Sequence, residues 1–86
     1  MIKLNGGRMS KSNQAVLKNL GQAIQTQRKT LELTQLSLAE LANVGPNYIR
    51  QIEAGKPTAH IEKILDVMAA LGLQFKLEFG KEKIKL

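Results

Sequence analysis

The 86-residue sequence contains no cysteine and no tryptophan, and aromatic residues make up only 3% of it. Without thiols the chain cannot form disulfides or thiolate metal sites, which suits a reducing compartment. No apolar run is long enough to span a membrane, and the first residues lack the continuous apolar core of a signal peptide. We therefore expect a cytoplasmic protein with an aliphatic core and no membrane contact.

Residues that catalysis and metal binding require are also scarce. His60 is the one histidine, and it stands away from any Asp or Glu set suited to catalysis or to a metal ion. The sequence has no Gly-rich phosphate loop and no paired carboxylates around a plausible cleft. A domain this small leaves little room for a substrate pocket. We expect no enzymatic activity, no metal and no cofactor.

Positive charge is in excess. The net charge is +6 and the isoelectric point is near 9.9, which favours an anionic partner although many small basic proteins bind none. The distribution strengthens the inference, because six basic residues precede the first acid, Glu32: Lys3, Arg8, Lys11, Lys18, Arg28 and Lys29.

The segment from Thr34 to Gly55 predicts two short helices joined by a tight turn. Thr34 is a typical N-cap residue, and three apolar residues then fall on one helical face: Leu38, Ala39 and Ala42. Asn43 tolerates the left-handed backbone of a helix end. Gly45 and Pro46 suit the start of a second helix, which Gly55 ends.

The second helix separates apolar from polar side chains. Ile49 and Ile52 form an apolar ridge, while other residues point elsewhere: Asn47, Tyr48, Arg50 and Gln51. Amide side chains pair with adenine and Arg pairs with guanine in the major groove of DNA, and Tyr can reach a phosphate or stack. A short helix with these groups predicts DNA base reading.

The motif T-Q-x-x-x-A-x-x-A, then V, then Y-I-x-x-I-E-x-G resembles the helix-turn-helix of the Xre and phage-repressor family. The segment Gly55-Lys56-Pro57-Thr58-Ala59 and the Leu-rich helix after it resemble more narrowly the HipB-like antitoxins. The similarity covers roughly Leu20 to Phe79. It implies an all-α, lambda-repressor-like fold of four to five helices and a DNA-binding function.

The resemblance also implies contacts with the DNA backbone. A glutamine matching Gln35 anchors a phosphate in the resembling repressors; a Gln favoured in a first helical turn is the alternative. We expect further backbone contacts from Ser37, Tyr48, Lys56, Arg28 and Lys29. For the pair Arg28 and Lys29 a solvated charge pair is the alternative, and Tyr48 could instead be a half-buried aromatic. The acid matching Glu53 usually pairs within the domain.

Two residues depart from the family pattern at the start of the reading helix. Gly45 stands where Ser or Thr usually provides a capping side chain, and Pro46 stands where a polar base-reading residue is common. Because Pro cannot donate a hydrogen bond, its contact would be apolar, with a thymine methyl for example. Base reading is therefore assigned to Pro46, Asn47, Arg50 and Gln51, with modest selectivity.

Helices are also predicted on both sides of this motif. Leu17, Leu20, Ile24 and Leu31 predict a first helix over about residues 17 to 31. Residues 1–16 are predicted to be a basic flexible arm that lies on DNA, or else a solvated terminus. After the motif, Thr58 can cap a helix that Gly72 ends, with a predicted buried stripe: Ile61, Ile64, Leu65, Met68 and Leu71.

The pattern changes to period two after Gly72, which predicts a half-buried β-strand within residues 73–80. Its inward residues would be Leu73, Phe75, Leu77 and Phe79. A single strand needs a partner for its backbone groups. The same strand of a second copy, about a two-fold axis, is the simplest partner, as in HipB-like dimers; Met1 to Leu4 is the alternative. Residues 81–86 form a short basic tail.

These observations predict a homodimeric repressor whose domain at residues 17–72 binds a palindromic operator in double-stranded DNA. The resemblance to HipB-like antitoxins further implies repression of its own operon and partnership with a HipA-like kinase toxin. The alternative is a protein-interaction module that neutralises such a kinase and binds DNA weakly or without sequence preference. The operator sequence and the toxin's identity do not follow from the sequence.

Overall fold

The computed structural model describes residues 11–57 and 60–76. Four helices occupy them: α1 (Lys11–Thr30), α2 (Gln35–Ala42), α3 (Pro46–Glu53) and α4 (Ile61–Ala70). α2 packs against both α3 and α4, and α1 packs against α3. The predicted all-helical helix-turn-helix architecture is confirmed. None of the helices in the described ranges is long and apolar enough to cross a membrane.

The turn between α2 and α3 has the predicted local chemistry. The Thr34 hydroxyl accepts a 2.9 Å hydrogen bond from the backbone N–H of Ser37, which satisfies one of the first-turn donors of α2. Asn43 ends α2 in the left-handed conformation, with φ 58° and ψ 46°. Gly45 is the N-cap of α3 and makes no side-chain capping bond, and Pro46 follows within its first turn. These local features end α2 at Ala42 and begin α3 at Pro46.

An aliphatic core lies between the four helices. It comprises Ile24, Leu38, Ala39, Ala42, Ile49, Ile52, Ile64, Val67, Met68 and Leu71. Every helix contributes to this cluster, so none of the short helices depends on its own propensity alone. The charged side chains of Arg28 and Glu53 are buried as well. The core therefore holds the two-helix motif, and an arginine is enclosed beside it.

The first helix is longer than the apolar pattern predicted. α1 already includes Lys11, so residues 11–16 of the predicted flexible arm are helical, while residues 1–10 lie outside the described part. Val16 is 61% exposed, and these first turns bury little. Hydrophobic periodicity detects only helical turns that face a core, whereas Gln, Ala and Lys favour a helix through propensity. The predicted start of the first helix, at about residue 17, was therefore too late.

The buried stripe of α4 is rotated from the predicted one. Ile64, Met68 and Leu71 are buried as expected, but Val67 is also fully buried, whereas Ile61 is 64% and Leu65 47% exposed. The core lies on the side of α4 that carries Ile64, Val67 and Leu71, so Leu65 lies at the margin of this buried face. The N-cap is His60, without a capping side-chain bond; Thr58 lies outside the described residues.

The predicted strand is not observed in the described part of the chain. Gly72 ends the helical region with a φ of 72°, as expected, and Leu73 to Lys76 have no strand assignment. A strand exists only when its backbone groups pair with another strand, and the described part of this single chain offers none. Leu73 instead packs partly against the core of its own chain. Leu77 and Phe79 lie outside the described residues.

A glycine permits the close crossing of α1 and α3. A Cβ atom added to Gly21 would lie 2.3 Å from the carbonyl oxygen of Ile52 and 2.8 Å from that of Glu53. One turn earlier on α1, the Lys18 side chain lies against Gly55, where an added Cβ would approach its Cγ to 2.9 Å. The backbones of the two helices therefore meet at van der Waals distance, and α1 covers the C-terminal end of α3.

We predict that Gly21→Ala lowers the free energy of unfolding by about 1–3 kcal/mol, because the new methyl group meets immovable backbone oxygens rather than a side chain. Gly45→Ser is the matched control. An added Cβ at Gly45 meets nothing within 4 Å, and serine can supply the missing cap, so this variant should gain a few tenths of a kcal/mol. Urea unfolding of the two variants measures both changes; equal stability of Gly21→Ala and wild type would contradict the crossing.

Candidate nucleic-acid interface

The outer face of α3 presents polar side chains that share one surface. Asn47, Arg50 and Gln51 are exposed, and with Ala54 and Lys56 they line a shallow open depression. Pro46 is exposed at the start of the same helix. The structure thus brings together all four residues that the sequence assigned to base reading, and it places Lys56 beside them.

This orientation of α3 follows from its apolar residues. Ile49 is 0% and Ile52 is 2% exposed, and their spacing of three residues fixes which side of the helix faces the core. Asn47, Arg50 and Gln51 fall outside that stripe and project to solvent. A helix of this size can enter the major groove of B-form DNA, so the geometry is suited to reading base edges.

The polar groups on α3 are also arranged relative to one another. The Nη2 of Arg50 donates a hydrogen bond to Oδ1 of Asn47, one helical turn earlier. The guanidinium carries five N–H groups, so this bond leaves donors for the O6 and N7 acceptors of a guanine. The amide nitrogen of Asn47 stays available to donate as well, which makes these two residues a matched pair of donors.

The side chain of Arg28 is buried, contrary to the prediction that it contacts the DNA backbone. It was expected to contact the DNA backbone, but its side chain is only 9% exposed, and that of Glu53 is 3% exposed. Arg28 Nε donates to Glu53 Oε2 at 2.7 Å and Nη2 donates to Oε1 at 3.0 Å, while Nη1 donates to the Leu33 carbonyl at 2.8 Å. Each guanidinium nitrogen thus has a partner within the domain, so the predicted contact of Arg28 with the DNA backbone was wrong. The pairing agrees with the structural role expected for Glu53.

Gln35 lies at the first residue of α2 and also contacts Glu53. Its Nε2 donates to Glu53 Oε1 at 3.1 Å. An amide nitrogen has two N–H groups, so one remains for an outside acceptor. The position just after the N-cap Thr34 adds the favourable field of a helix N-terminus for an anion. The phosphate contact predicted for Gln35 is therefore compatible with its intradomain bond.

Tyr48 is half-buried and joins α3 to the segment before α4. Its hydroxyl donates to the carbonyl oxygen of His60 at 3.1 Å, and the ammonium of Lys63 lies 5.7 Å from the ring centroid, within cation–π range. These contacts favour the half-buried alternative over the predicted phosphate contact, because the ring and the hydroxyl are both used inside the domain.

The remaining predicted backbone residues differ in their surroundings. The Ser37 hydroxyl accepts a 2.9 Å hydrogen bond from the hydroxyl of Thr34, which makes it part of the cap of α2. Lys29 and Lys56 are exposed, and Lys56 adjoins the reading residues. Within the described ranges no group of three or more His, Cys, Asp or Glu residues could hold a metal ion.

The environment of Glu53 changes its proton affinity. Desolvation is the largest single influence on the pKa of Glu53 and raises it. Hydrogen bonds from Arg28 and Gln35, the attraction of the Arg28 charge and a hydrogen bond from Gln25 lower the pKa, and together they outweigh desolvation. The net pKa of Glu53 lies below its ordinary value of 4.5. The hydrogen bond to Glu53 also raises the pKa of Arg28, against desolvation. The pair is thus fully ionised at neutral pH.

Sequence reasoning missed the link between Arg28, Glu53 and Gln35, although a signal for it was present. Arg28 follows Ile24 by four residues, so it continues the inward stripe of α1 that begins with Leu17 and Leu20. An inward arginine requires a buried partner of opposite charge. Glu53 follows the inward residue Ile49 by four positions, which places the two charges on facing sides of α1 and α3.

Comparison with known proteins identifies the family of this chain. The family model HTH_3, a helix-turn-helix, matches residues 24–77. The chain is 44% identical over 67 residues to an uncharacterized HTH-type transcriptional regulator, y4mF, from Sinorhizobium fredii, covering 78% of this chain and 88% of that protein. It is 35% identical over 65 residues to the immunity repressor protein of Bacillus phage phi105, covering 76% of this chain but only 45% of the repressor.

Two solved structures have a similar fold. The restriction-modification controller protein C.AhdI from Aeromonas hydrophila superposes with a TM-score of 0.64 at 28% identity, over 70% of this chain and 91% of that one. The clp gene regulator ClgR from C. glutamicum gives a TM-score of 0.62 at 31% identity, over 67% of this chain and 74% of that one.

The fold and the polar face of α3 define a helix-turn-helix DNA-binding protein. The chain belongs to the HTH_3 helix-turn-helix family, of the Xre and lambda-repressor type, and is a DNA-binding transcriptional regulator. The family resemblance inferred from T-Q-x-x-x-A-x-x-A and Y-I-x-x-I-E-x-G is confirmed.

We predict that acidification destabilises the domain through Glu53. Because its folded-state pKa is depressed, the stabilisation is present above the unfolded-state value and is lost as pH falls through the folded-state value. The free energy of unfolding should therefore decline below about pH 4.5, the ordinary value. Urea unfolding between pH 7 and pH 3 measures this decline.

The matched control for this prediction is the double variant Arg28→Met/Glu53→Met. Replacing a buried ion pair by apolar side chains of similar volume is often neutral for stability, whereas removing one partner costs about 3–5 kcal/mol. The double variant should lose less stability than the wild type over the same pH range. Identical pH profiles for the two proteins would contradict the assignment to Glu53.

Proposed function

We propose that this protein is a transcriptional repressor that binds its operator by placing α3 in the major groove. The observation that carries the proposal is the exposure of Asn47, Arg50 and Gln51 on the face of α3 opposite the buried Ile49 and Ile52. Membership of a helix-turn-helix family and similarity to a phage immunity repressor support it. The operator is proposed to lie upstream of the protein's own gene.

Contacts to bases and to phosphates have separate roles in this proposal. Asn47, Arg50 and Gln51 read base edges, and Pro46 contributes an apolar contact with a thymine methyl. Gln35, Lys29 and Lys56 contact the phosphates of the flanking backbone and fix the position of α3. Each neutralised phosphate releases counterions, so binding weakens as the salt concentration rises.

The repressor is proposed to act as a homodimer on a palindromic operator, with the two α3 helices in successive major grooves. Exposed apolar side chains support a second copy as the partner, because burying them lowers the free energy of association. Ile61 and Leu65 lie one turn apart on α4 and are 64% and 47% exposed, and Phe75 is 51% exposed. We add Ile61 and Leu65 to the interface proposed for Leu73 and Phe75, together with Leu77 and Phe79 beyond the described residues.

The antitoxin function is a separate proposal that rests on the resemblance of residues 55–59 and the following helix to HipB-like proteins. It assigns a HipA-like kinase toxin as a second partner. Co-expression tests it: growth arrest by a HipA-like kinase encoded beside this gene should be relieved by this chain, and the two proteins should co-purify. If growth arrest continued in the presence of this chain, the kinase would not be a partner of this protein.

The alternative of a protein-interaction module without specific DNA binding makes a different prediction for the same surface. In that case substitutions on α3 that conserve charge would leave DNA affinity unchanged, because the remaining attraction would come from net charge alone. The reading residues therefore discriminate between the two functions.

We predict that Arg50→Lys weakens operator binding by about 1–3 kcal/mol, because lysine retains the charge but loses the fork that pairs with guanine. Binding to scrambled DNA should change little. Fluorescence anisotropy with labelled operator and scrambled duplexes measures both affinities.

Lys56→Ala is the control for the phosphate contribution. It should weaken binding to both duplexes by a similar factor and reduce the slope of log affinity against log salt by about one. If Arg50→Lys also weakened both duplexes equally, Arg50 would be a phosphate contact and the base-reading assignment would be wrong.

We predict that Leu65→Glu gives a monomer in sedimentation and binds the operator at least tenfold more weakly, since a dimer gains affinity from two linked half-sites. Leu65 is half exposed, so the fold should persist. Leu41→Glu is the matched control, because Leu41 on α2 is 63% exposed and has no proposed interface role. A dimeric Leu65→Glu protein would contradict the α4 interface.

A further inference from the structure

Three helices meet at the Glu53 carboxylate. Arg28 comes from α1, Gln35 from α2 and Glu53 from α3. Glu53 Oε1 accepts from Arg28 Nη2 at 3.0 Å and from Gln35 Nε2 at 3.1 Å, while Oε2 accepts from Arg28 Nε at 2.7 Å. The carboxylate therefore accepts these three hydrogen bonds, two from Arg28 and one from Gln35.

This arrangement determines the orientation of the Gln35 amide. An ionised carboxylate only accepts hydrogen bonds, so the nitrogen of the amide must face Glu53, and a rotated amide would place its oxygen against the carboxylate. The fork of Arg28 in turn prevents the carboxylate from rotating, because its two nitrogens bind the two carboxylate oxygens in parallel. One N–H of Gln35 is thus bound, and the second has a fixed direction.

We propose that Glu53 is a positioning residue for DNA binding, which acts by orienting Gln35 for a backbone phosphate. The inference rests on the proposed function, in which Gln35 contacts the operator. Glu53 belongs to the reading helix itself, so the bond to Gln35 couples the phosphate contact at the start of α2 to the position of α3. Arg28 acts indirectly by holding the carboxylate.

A double-mutant cycle separates this role from a purely structural one. The first background is the wild type, and the second is Arg28→Met/Glu53→Met, which removes one charge of each sign and so leaves the net charge at +6. Gln35→Ala is introduced into both backgrounds, and operator affinity is measured by anisotropy. Thermal unfolding of all four proteins establishes that they are folded at the temperature of the binding experiment.

In the wild-type background Gln35→Ala should weaken binding about tenfold, as expected for a hydrogen bond to a charged group. In the Arg28→Met/Glu53→Met background, binding should already be weaker and Gln35→Ala should have little further effect. Lys56→Ala is the control, because Lys56 has no bond to this network, and it should weaken binding by the same factor in both backgrounds. An equal loss from Gln35→Ala in both backgrounds would overturn the proposal.

Two further readouts keep this test separate from that of the proposed function. Because phosphate contacts are independent of base sequence, the cycle can also be measured on scrambled DNA, where it remains valid even if the wild type shows no operator preference. In the DNA-free protein, the Gln35 side-chain amide protons should exchange with solvent more slowly in wild type than in Arg28→Met/Glu53→Met, as measured by NMR. Equal exchange rates in the two proteins would contradict the positioning by Glu53.

If the double variant unfolds, Arg28→Gln/Glu53→Gln replaces it, because the two amides can bond to each other and leave no unpaired buried charge. An amide at this position both accepts and donates, so it allows the Gln35 amide to adopt either orientation. The same loss of coupling between Gln35 and DNA affinity is then expected, and full retention of the tenfold effect of Gln35→Ala would again overturn the proposal.

Discussion

The buried ion pair between Arg28 and Glu53 is the interaction on which the arrangement of the helices depends. Its hydrogen bonds are 2.7 and 3.0 Å long, and the Leu33 carbonyl takes a further Arg28 donor, so α1 is fixed both to α3 and to the segment before α2. Losing either charge would leave the other buried without compensation, which costs about 3–5 kcal/mol. The close backbone crossing at Gly21 brings these two side chains within reach.

The reading helix has eight residues, which is too short for stable helix formation in isolation. Its structure is imposed by Pro46 in its first turn, by the burial of Ile49 and Ile52 and by α1 at its C-terminal end. The face that is left for DNA is consequently rigid, because its direction is set by buried neighbours. Rigid placement of Asn47 and Arg50 lowers the entropy lost on binding, which connects the packing of this small core to function.

Local chemistry in the sequence was sufficient to predict the two central helices. The cap at Thr34, the left-handed Asn43 and the first-turn Pro46 each depend on neighbouring residues only, so they could be read directly from the sequence. The exposed start of α1, the rotation of α4 at Leu65 and the burial of Arg28 depend on which surfaces meet in three dimensions. A strand requires a pairing partner, so its existence cannot follow from alternation alone.

The central claim is that the surface of α3 recognises a particular DNA sequence. The most direct measurement is the affinity of the wild-type protein for DNA from upstream of its own gene, by anisotropy at two salt concentrations and with scrambled competitor. The account predicts binding that survives excess competitor and weakens as salt rises. Binding that scrambled competitor removes completely would contradict it, because such binding comes from positive charge without sequence recognition.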